Sequence, residues 1–236
     1  MQLDPQEAAD TGSQMTIVDT DRVPVPTTIS STAPLRIAYV SVGEAEDRRP
    51  YWSRIEKENY LVVLDKETEG NTRVDFRDAA WQTLLLKEEI PRILTSGAQG
   101  LMLAHLDSIA FLEDREPEHF AGSLHALQLW LVKLRNIYPG LILIAEGTKT
   151  LEPAAIMVDG YLTDGIFTEW NAVGHHARRR TTEERDERLD DIGNAFALTP
   201  HPVFNLEYAD VGDKRLTRWV TQESVKRGYR PFIKIR

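Results

Sequence analysis

The chain has 236 residues, of which 42% are hydrophobic and 8% aromatic, so it can bury the core of a globular protein. Its formal net charge of −9 argues against a nucleic-acid backbone as partner, because like charges repel, and favours a neutral or cationic ligand. The absence of cysteine excludes disulfides, thiolate metal sites and a cysteine nucleophile.

Short apolar runs predict strands that alternate with helices along the chain. They are rich in Val, Ile and Leu and alternate little between apolar and polar residues, as expected for strands buried on both faces of a parallel sheet. The predicted strands are Met15–Asp19, Leu35–Val42, Tyr60–Leu64 (or Arg73–Phe76), Gly100–Leu103, Leu141–Ala145, Gly160–Phe167, Pro202–Tyr208 and Pro231–Ile235.

Capping residues, prolines and glycines mark the ends of the helices between these strands. The first predicted helix follows Asp78, and the last ends at Gly228. The predicted helices are Asp78–Ser96, Pro117–Tyr138, Thr150–Val158, Thr181–Leu198 and Asp213–Arg227.

Eight strands alternating with helices predict an α/β fold, a (β/α)8 TIM-type barrel, as a single domain over residues 1–236. We expect its first and last outer helices to be weak or missing. Residues 21–34, rich in Pro, Ser and Thr, indicate a loop at the first position, and the sequence ends directly after the eighth strand. Residues 1–14 are also expected to be irregular, with Asp4–Thr11 available to cover the gap. An open doubly wound sheet, which needs fewer strands, is the alternative.

Acidic residues recur at the ends of the predicted strands. In a TIM-type barrel these positions face the active-site mouth. Paired carboxylates there suit glycoside hydrolysis, in which one protonates the leaving oxygen and the other attacks the anomeric carbon or activates water. For any single acid, a helix cap or an arginine partner is the alternative. The acids concerned are Asp19, Glu44, Glu46, Asp107, Glu146, Asp164, Glu169 and Glu207.

Three other features carry chemistry. Gly43 permits a sharp exit from the second strand, and the aromatic residues Tyr51 and Trp52 that follow could stack on a sugar. The adjacent histidines at 175 and 176 point in different directions, which favours a solvated loop over a metal site. The arginine run Arg178–Arg180 could hold an anionic group, although a solvated charge run is the default interpretation.

Together these motifs resemble glycoside hydrolase family 114, which includes endo-α-1,4-polygalactosaminidases and bacterial TIM-barrel relatives. The segments that carry the resemblance are Val40–Trp52, Val74–Trp81, Gly100–Ser108, Gly160–Thr168 and Val203–Ala209. The resemblance implies a polysaccharide or oligosaccharide ligand, a cationic amino sugar such as polygalactosamine, and neither a metal nor an organic cofactor. It also implies secretion, whereas the N-terminus lacks the features of a signal peptide and no apolar run could span a membrane.

The resemblance also assigns roles to residues. Asp164 occupies the sixth-strand carboxylate position and is expected to be the general acid/base, with Asp107 or Glu207 as the second carboxylate. The residues expected to hold the sugar are Asp19, Glu44, Glu46, Glu146, Tyr51, Trp52, Trp170 and Tyr208.

Two positions depart from the family pattern. Ala104 stands where the fourth strand usually carries an aspartate, and Asp164 stands where a glutamate is usual. Alanine can neither transfer a proton nor attack carbon. An engineered inactivation, a diverged enzyme in which another acid carries the chemistry, and a carbohydrate-binding pseudoenzyme are therefore alternatives. An interaction scaffold without a sugar ligand is the remaining one.

Overall fold

The structure, a computed structural model, describes residues 15–22, 34–63, 70–147, 149–171 and 173–236. The chain divides into two compact units, residues 1–144 and 145–236. The segments predicted to be irregular, 1–14 and most of 21–34, lie outside the described residues. The single domain over residues 1–236 stays a prediction.

Strands and helices alternate through both units. The strands are β1 (Met15–Val18), β2 (Leu35–Ser41), β3 (Glu44–Glu46), β4 (Leu61–Val62), β5 (Asn71–Val74), β6 (Gly100–Ala104), β7 (Ile142–Glu146), β8 (Gly160–Asp164), β9 (Thr168–Asn171), β10 (His176–Arg179), β11 (Val203–Ala209) and β12 (Arg230–Ile235). The α-helices are α1 (Trp52–Ile55), α2 (Ala79–Leu84), α3 (Ile90–Leu94), α4 (Asp107–Arg115), α5 (Pro117–Phe120), α6 (Ser123–Ile137), α7 (Leu151–Ala154), α8 (Thr182–Leu198) and α9 (Lys214–Lys226). A π-helical segment, Leu85–Glu89, joins α2 to α3, and a 3₁₀ turn, Ala155–Met157, follows α7.

The first unit is built on parallel strands in the order β1-β2-β6, followed by β7. The third predicted strand does not lie in this order, because β2 pairs directly with β6. Its two alternatives, β4 and β5, instead form a small antiparallel sheet with β3. The reason is local: the chain leaves β2 at Gly43 and immediately supplies β3 as a partner for β5, and Val74 N–H donates to the carbonyl of Gly43 (3.2 Å).

The second unit contains the parallel order β8-β11-β12 and the antiparallel hairpin β9–β10. The buried positions of its strands include apolar residues such as Tyr161 and Leu206, and the buried polar pair Thr163 and Asn205 is hydrogen-bonded (3.2 Å). A buried pair of this kind is tolerated because each polar group finds a partner.

The predicted helix starts are confirmed where a side chain caps the helix. Asp78 accepts from the N–H groups of Ala80 and Trp81, and Thr181 forms a capping box with Glu184. Asp213 likewise caps α9. The long helix predicted from Pro117 is divided into α5 and α6 at Gly122, whose φ of +88° interrupts the helical backbone.

Gly43 is required by a close approach of two chain segments. A Cβ atom at this position would lie 2.0 Å from the carbonyl oxygen of His105 and 3.3 Å from the side chain of Ile109. Real Cβ atoms do not come this close to a backbone oxygen, so only glycine lets the end of β2 pass beside the link between β6 and α4.

We therefore expect Gly43→Ala to lower the free energy of unfolding by roughly 1–3 kcal/mol, because the backbone must shift to remove the overlap. Gly193→Ala is the matched control, since Gly193 lies inside α8 and an added Cβ would meet nothing within 4 Å. It should raise stability by about 0.5–1 kcal/mol, as alanine is the better helix former. Urea unfolding measures both, and equal stability of the two variants would contradict the account.

Candidate active site

Two acids of the first unit are held by a buried arginine. The Arg49 guanidinium donates to Asp19 (Nη1–Oδ1 2.7 Å) and to Glu46 (Nε–Oε2 2.5 Å), and all three side chains are buried. Lost hydration lowers the pKa of Arg49, but the hydrogen bonds to Asp19 and the charge of Glu46 outweigh this and raise it. Both carboxylates, expected from sequence to hold sugar groups, are thus engaged in an internal ion cluster.

A chain of polar contacts joins Glu46 to Glu44 in the same unit. The Tyr39 hydroxyl donates to Glu46 Oε1 (3.0 Å) and lies 2.9 Å from His105 Nε2, which must then be the donor to the Tyr39 oxygen. His105 Nδ1 lies 3.5 Å from Glu44 Oε2. Glu44 also accepts from Ser108 and Asn71. The sequence alone does not place Tyr39 and Glu44 beside His105, because both lie far from it along the chain.

His105 also has a strained backbone. Its φ of +59° is unusual for a residue with a Cβ. Such strain persists only where surrounding contacts fix the conformation, and it often marks functional sites. Here the contacts of the imidazole with Tyr39 and Glu44 provide that constraint, directly after the Ala104 position. The signal in the sequence was position alone: a histidine at the end of a buried strand.

The other predicted residues of the first unit differ in exposure. The Tyr51 ring is buried and packs edge-to-face on Trp81 at 5.6 Å, so it offers no open face for a sugar in this structure. Trp52 begins α1 and is half-buried. Asp107 is the first residue of α4 and is also half-buried.

In the second unit, Asp164 and Tyr208 come together at the ends of β8 and β11. The Tyr208 hydroxyl donates to Asp164 Oδ2 (2.9 Å). Asp164 keeps an exposed surface, while the protein around its carboxyl group removes part of its hydration and raises its pKa. The hydrogen bond from Tyr208 partly offsets that rise. Asp164 is thus an accessible carboxyl group inclined to keep its proton.

Glu207 has a different environment from Asp164. It is fully buried and accepts hydrogen bonds from Phe167 N–H (2.9 Å), Thr168 N–H (2.8 Å) and the Thr168 hydroxyl (2.5 Å). Burial raises its pKa, and these hydrogen bonds lower it in part. Its two oxygens hold the turn after β8 in place.

That turn is also fixed by Gly165, whose φ is +66°. A Cβ there would lie 2.5 Å from the carbonyl oxygen of Thr168. Arg180 Nε donates to the Gly165 carbonyl (2.6 Å), and its Nη1 donates to Glu169 (2.7 Å). Glu169 therefore serves to attach the β9–β10 hairpin to the turn that follows Asp164.

The remaining predicted sugar contacts of the second unit are half-buried. Arg236 lies over the rings of Trp170 (5.2 Å) and Tyr208 (5.5 Å), so the two aromatics flank one cation. Burial and the charge of Asp164 raise the pKa of Tyr208, and the charge of Glu146, at the end of β7, adds to that rise.

The described residues contain neither a metal-binding cluster nor a membrane-spanning helix. Within them, no group of three or more His, Asp or Glu side chains is arranged to hold a metal ion. No helix in the described ranges combines the length and apolar character of a membrane span.

Comparison with known proteins identifies relatives over most of the chain. A protein of Deinococcus radiodurans is 27% identical over 183 residues, covering 74% of this chain and 56% of its own length. One of Methanocaldococcus jannaschii is 24% identical over 221 residues, covering 84% of this chain and 60% of its own length. The chain thus spans less than two thirds of both relatives, and both are described as uncharacterized.

Solved structures share the fold. The glycoside hydrolase domain of PelA from Pseudomonas aeruginosa superposes with a TM-score of 0.82 at 19% identity, covering 98% of this chain and 91% of that one. Ega3 from Aspergillus fumigatus, solved in complex with galactosamine, gives a TM-score of 0.54 at 15% identity, covering 74% of this chain and 61% of that one. The predicted fold class, an α/β fold of the TIM type, is confirmed.

The resemblance stated from the sequence is confirmed over its whole length. The model of the glycoside-hydrolase family GH114 matches residues 1–236, and the chain therefore belongs to this family.

Proposed function

We propose that this protein is a glycoside hydrolase that cleaves an amino-sugar polysaccharide of the polygalactosamine type, with Asp164 as its general acid/base. Membership of family GH114 supports the reaction class. The galactosamine bound to the related fold of Ega3 supports the substrate class. The net charge of −9 adds a general attraction for a cationic polymer.

The observation that carries the proposal is the environment of Asp164. Glycoside hydrolysis needs a carboxylic acid that is protonated near its working pH and can reach the leaving oxygen. Asp164 is accessible, follows a parallel strand at its C-terminal end and has a raised pKa. The Tyr208 hydroxyl orients its carboxyl group.

The second carboxylate was predicted to be Asp107 or Glu207. The three hydrogen bonds that Glu207 accepts favour a positioning role, because a nucleophile or base needs a free oxygen lone pair directed at the substrate. Glu207 thus holds the turn next to Asp164, and a catalytic role for Asp107 stays a prediction from the sequence. Trp170 and Tyr208 remain the predicted stacking surface of the second unit, whereas the buried Tyr51 is not proposed as one.

We expect Asp164→Asn to lower kcat on α-1,4-linked galactosamine oligomers by about 100-fold or more, since an amide cannot transfer the proton. Asp190→Asn, an exposed acid on α8, is the matched control and should retain activity. Reducing-end release, measured together with binding by calorimetry, separates the steps. Binding that persists in Asp164→Asn without release of reducing ends supports the assignment, and equal activity of the two variants overturns it.

The pKa of Asp164 should respond to its hydrogen bond from Tyr208. That bond stabilises the carboxylate and lowers the pKa, so Tyr208→Phe is expected to raise the pKa of Asp164 further. An activity that needs protonated Asp164 would then persist to higher pH. Carboxyl-carbon NMR titration of Asp164 in both proteins measures the shift, and an unchanged or lowered value in the variant would contradict it.

A carbohydrate-binding pseudoenzyme is the second candidate function, and Ala104 is the observation that favours it. Ala104 ends β6 with a buried side chain at the position where the family usually has an aspartate. In a pseudoenzyme, the wild-type chain binds galactosamine oligomers without releasing reducing ends.

If position 104 has lost a catalytic carboxylate, Ala104→Asp should create or raise hydrolysis. Ala104→Asn is the control and should not, because the asparagine side chain has the shape of aspartate but carries no charge. Thermal melting of both variants checks that the buried polar group is tolerated. An inactive but folded Ala104→Asp would show that the carboxylate at this position is not what limits turnover.

A further inference from the structure

The second unit carries a strongly basic pocket that the proposed glycosidase chemistry does not use. Its volume is about 490 Å³, within the range of small-ligand sites. Four of the lining side chains are cationic, in a chain whose net charge is −9. The lining residues are Arg179, Lys214, Arg215, Arg218, Trp219 and Gln222.

Two neighbouring arginines of β10, Arg178 and Arg179, have different contacts. Arg178 pairs with Glu169 and with Glu184 (2.7 Å), whereas the guanidinium of Arg179 lies over the ring of Trp219, 4.0 Å from its centroid. Successive residues of a strand point to opposite faces, which explains the separation. The default interpretation of a solvated charge run does not hold for Arg178, which is half-buried in ion pairs, whereas Arg179 stays exposed and lines the pocket.

Helix α9 supplies the other cations from its first turns. Lys214 and Arg218 are four residues apart and Arg215 and Arg218 three apart, so they share a helix face and repel one another. Among the described residues, no ion pair joins any of these three, or Arg179, to a carboxylate. An anion bound in the pocket would offset the repulsion between these cationic side chains.

We propose that this pocket binds a compact, multiply charged phosphate group, with pyrophosphate as its simplest form. Arginine presents a planar fork of N–H donors that matches phosphate oxygens. Arg179 (4.0 Å) and Arg185 (5.7 Å) both lie over the Trp219 ring, and Phe167 packs against it in a T-shaped geometry (6.1 Å). Trp219 therefore holds the arginines and does not stack on a base. The ligand is therefore recognised through its phosphates, whether free or part of a nucleotide.

Isothermal titration calorimetry of the full chain at low ionic strength tests this with pyrophosphate, ADP, adenosine and sulfate. We expect pyrophosphate and ADP to bind 1:1 with similar affinity, sulfate more weakly and adenosine not at all. ADP binding much more tightly than pyrophosphate would overturn recognition through phosphate alone.

The variant pair Arg215→Gln/Arg218→Gln should weaken pyrophosphate binding by about 100-fold, or roughly 10-fold for each arginine that no longer donates a charge-assisted hydrogen bond. Lys57→Gln/Lys133→Gln is the matched control, since both lysines are exposed in the first unit and the change in net charge is the same. Affinity within about 2-fold of wild type in the control supports a specific site.

Arg179→Gln provides a second route if the double variant fails to fold, and it should weaken pyrophosphate binding by about 10-fold. Absence of saturable binding to the wild-type chain overturns the proposal. So does equal weakening in the pocket variants and the lysine control, because that result means diffuse attraction without a site.

Discussion

Removing a carboxylate from water costs several kcal/mol unless a cation or hydrogen-bond donors replace the lost hydration. This constraint separates the acids of the chain by function. Asp19 and Glu46 share Arg49, and Glu207 accepts three hydrogen bonds, so these acids stabilise the fold around them. Asp164 differs in exposure: burial raises the pKa of Glu207 as well, but Asp164 keeps an accessible surface, whereas Glu207 is fully buried. The proposal that Asp164 is the general acid/base depends on that difference.

Local signals in the sequence predicted much of the fold. Caps such as Asp78 and Thr181 act within three residues of the helix they begin, so their effect is visible in the sequence. The third strand was placed wrongly in the main sheet, because strand pairing depends on which partner the fold brings to an edge, and this is not visible in the strand's own sequence. Here β3, directly after Gly43, supplies that partner.

The partners of the acids could not be predicted in the same way. Arg49 and Asp19 are 30 residues apart, and Tyr39 and His105 are 66 apart. Such contacts arise only when strands come together, and they have no periodicity in the sequence. Of the acids predicted at strand ends, Glu146 and Asp164 end β7 and β8, whereas Glu44 and Glu46 lie within β3. The sequence did not distinguish the acids that hold the fold from Asp164.

Under the proposed function, Ala104 and Asp164 are the two positions on which activity is expected to depend. The backbone around Ala104 is tightly specified, since Gly43 accommodates the carbonyl of His105 and the His105 side chain is held by Tyr39. The sequence resemblance implies an aspartate at this position of the fourth strand, where this chain has the methyl group of Ala104. In the proposed enzyme, Asp164 would then act with a second carboxylate elsewhere.

A crystal structure of Asp164→Asn with a bound α-1,4-linked galactosamine oligomer tests the central claim most directly. The account predicts that a glycosidic oxygen lies within hydrogen-bond distance, about 3 Å, of the residue 164 side chain. An oligomer bound in an ordered pose with no glycosidic oxygen near residue 164 would contradict the assignment of Asp164 as the general acid/base.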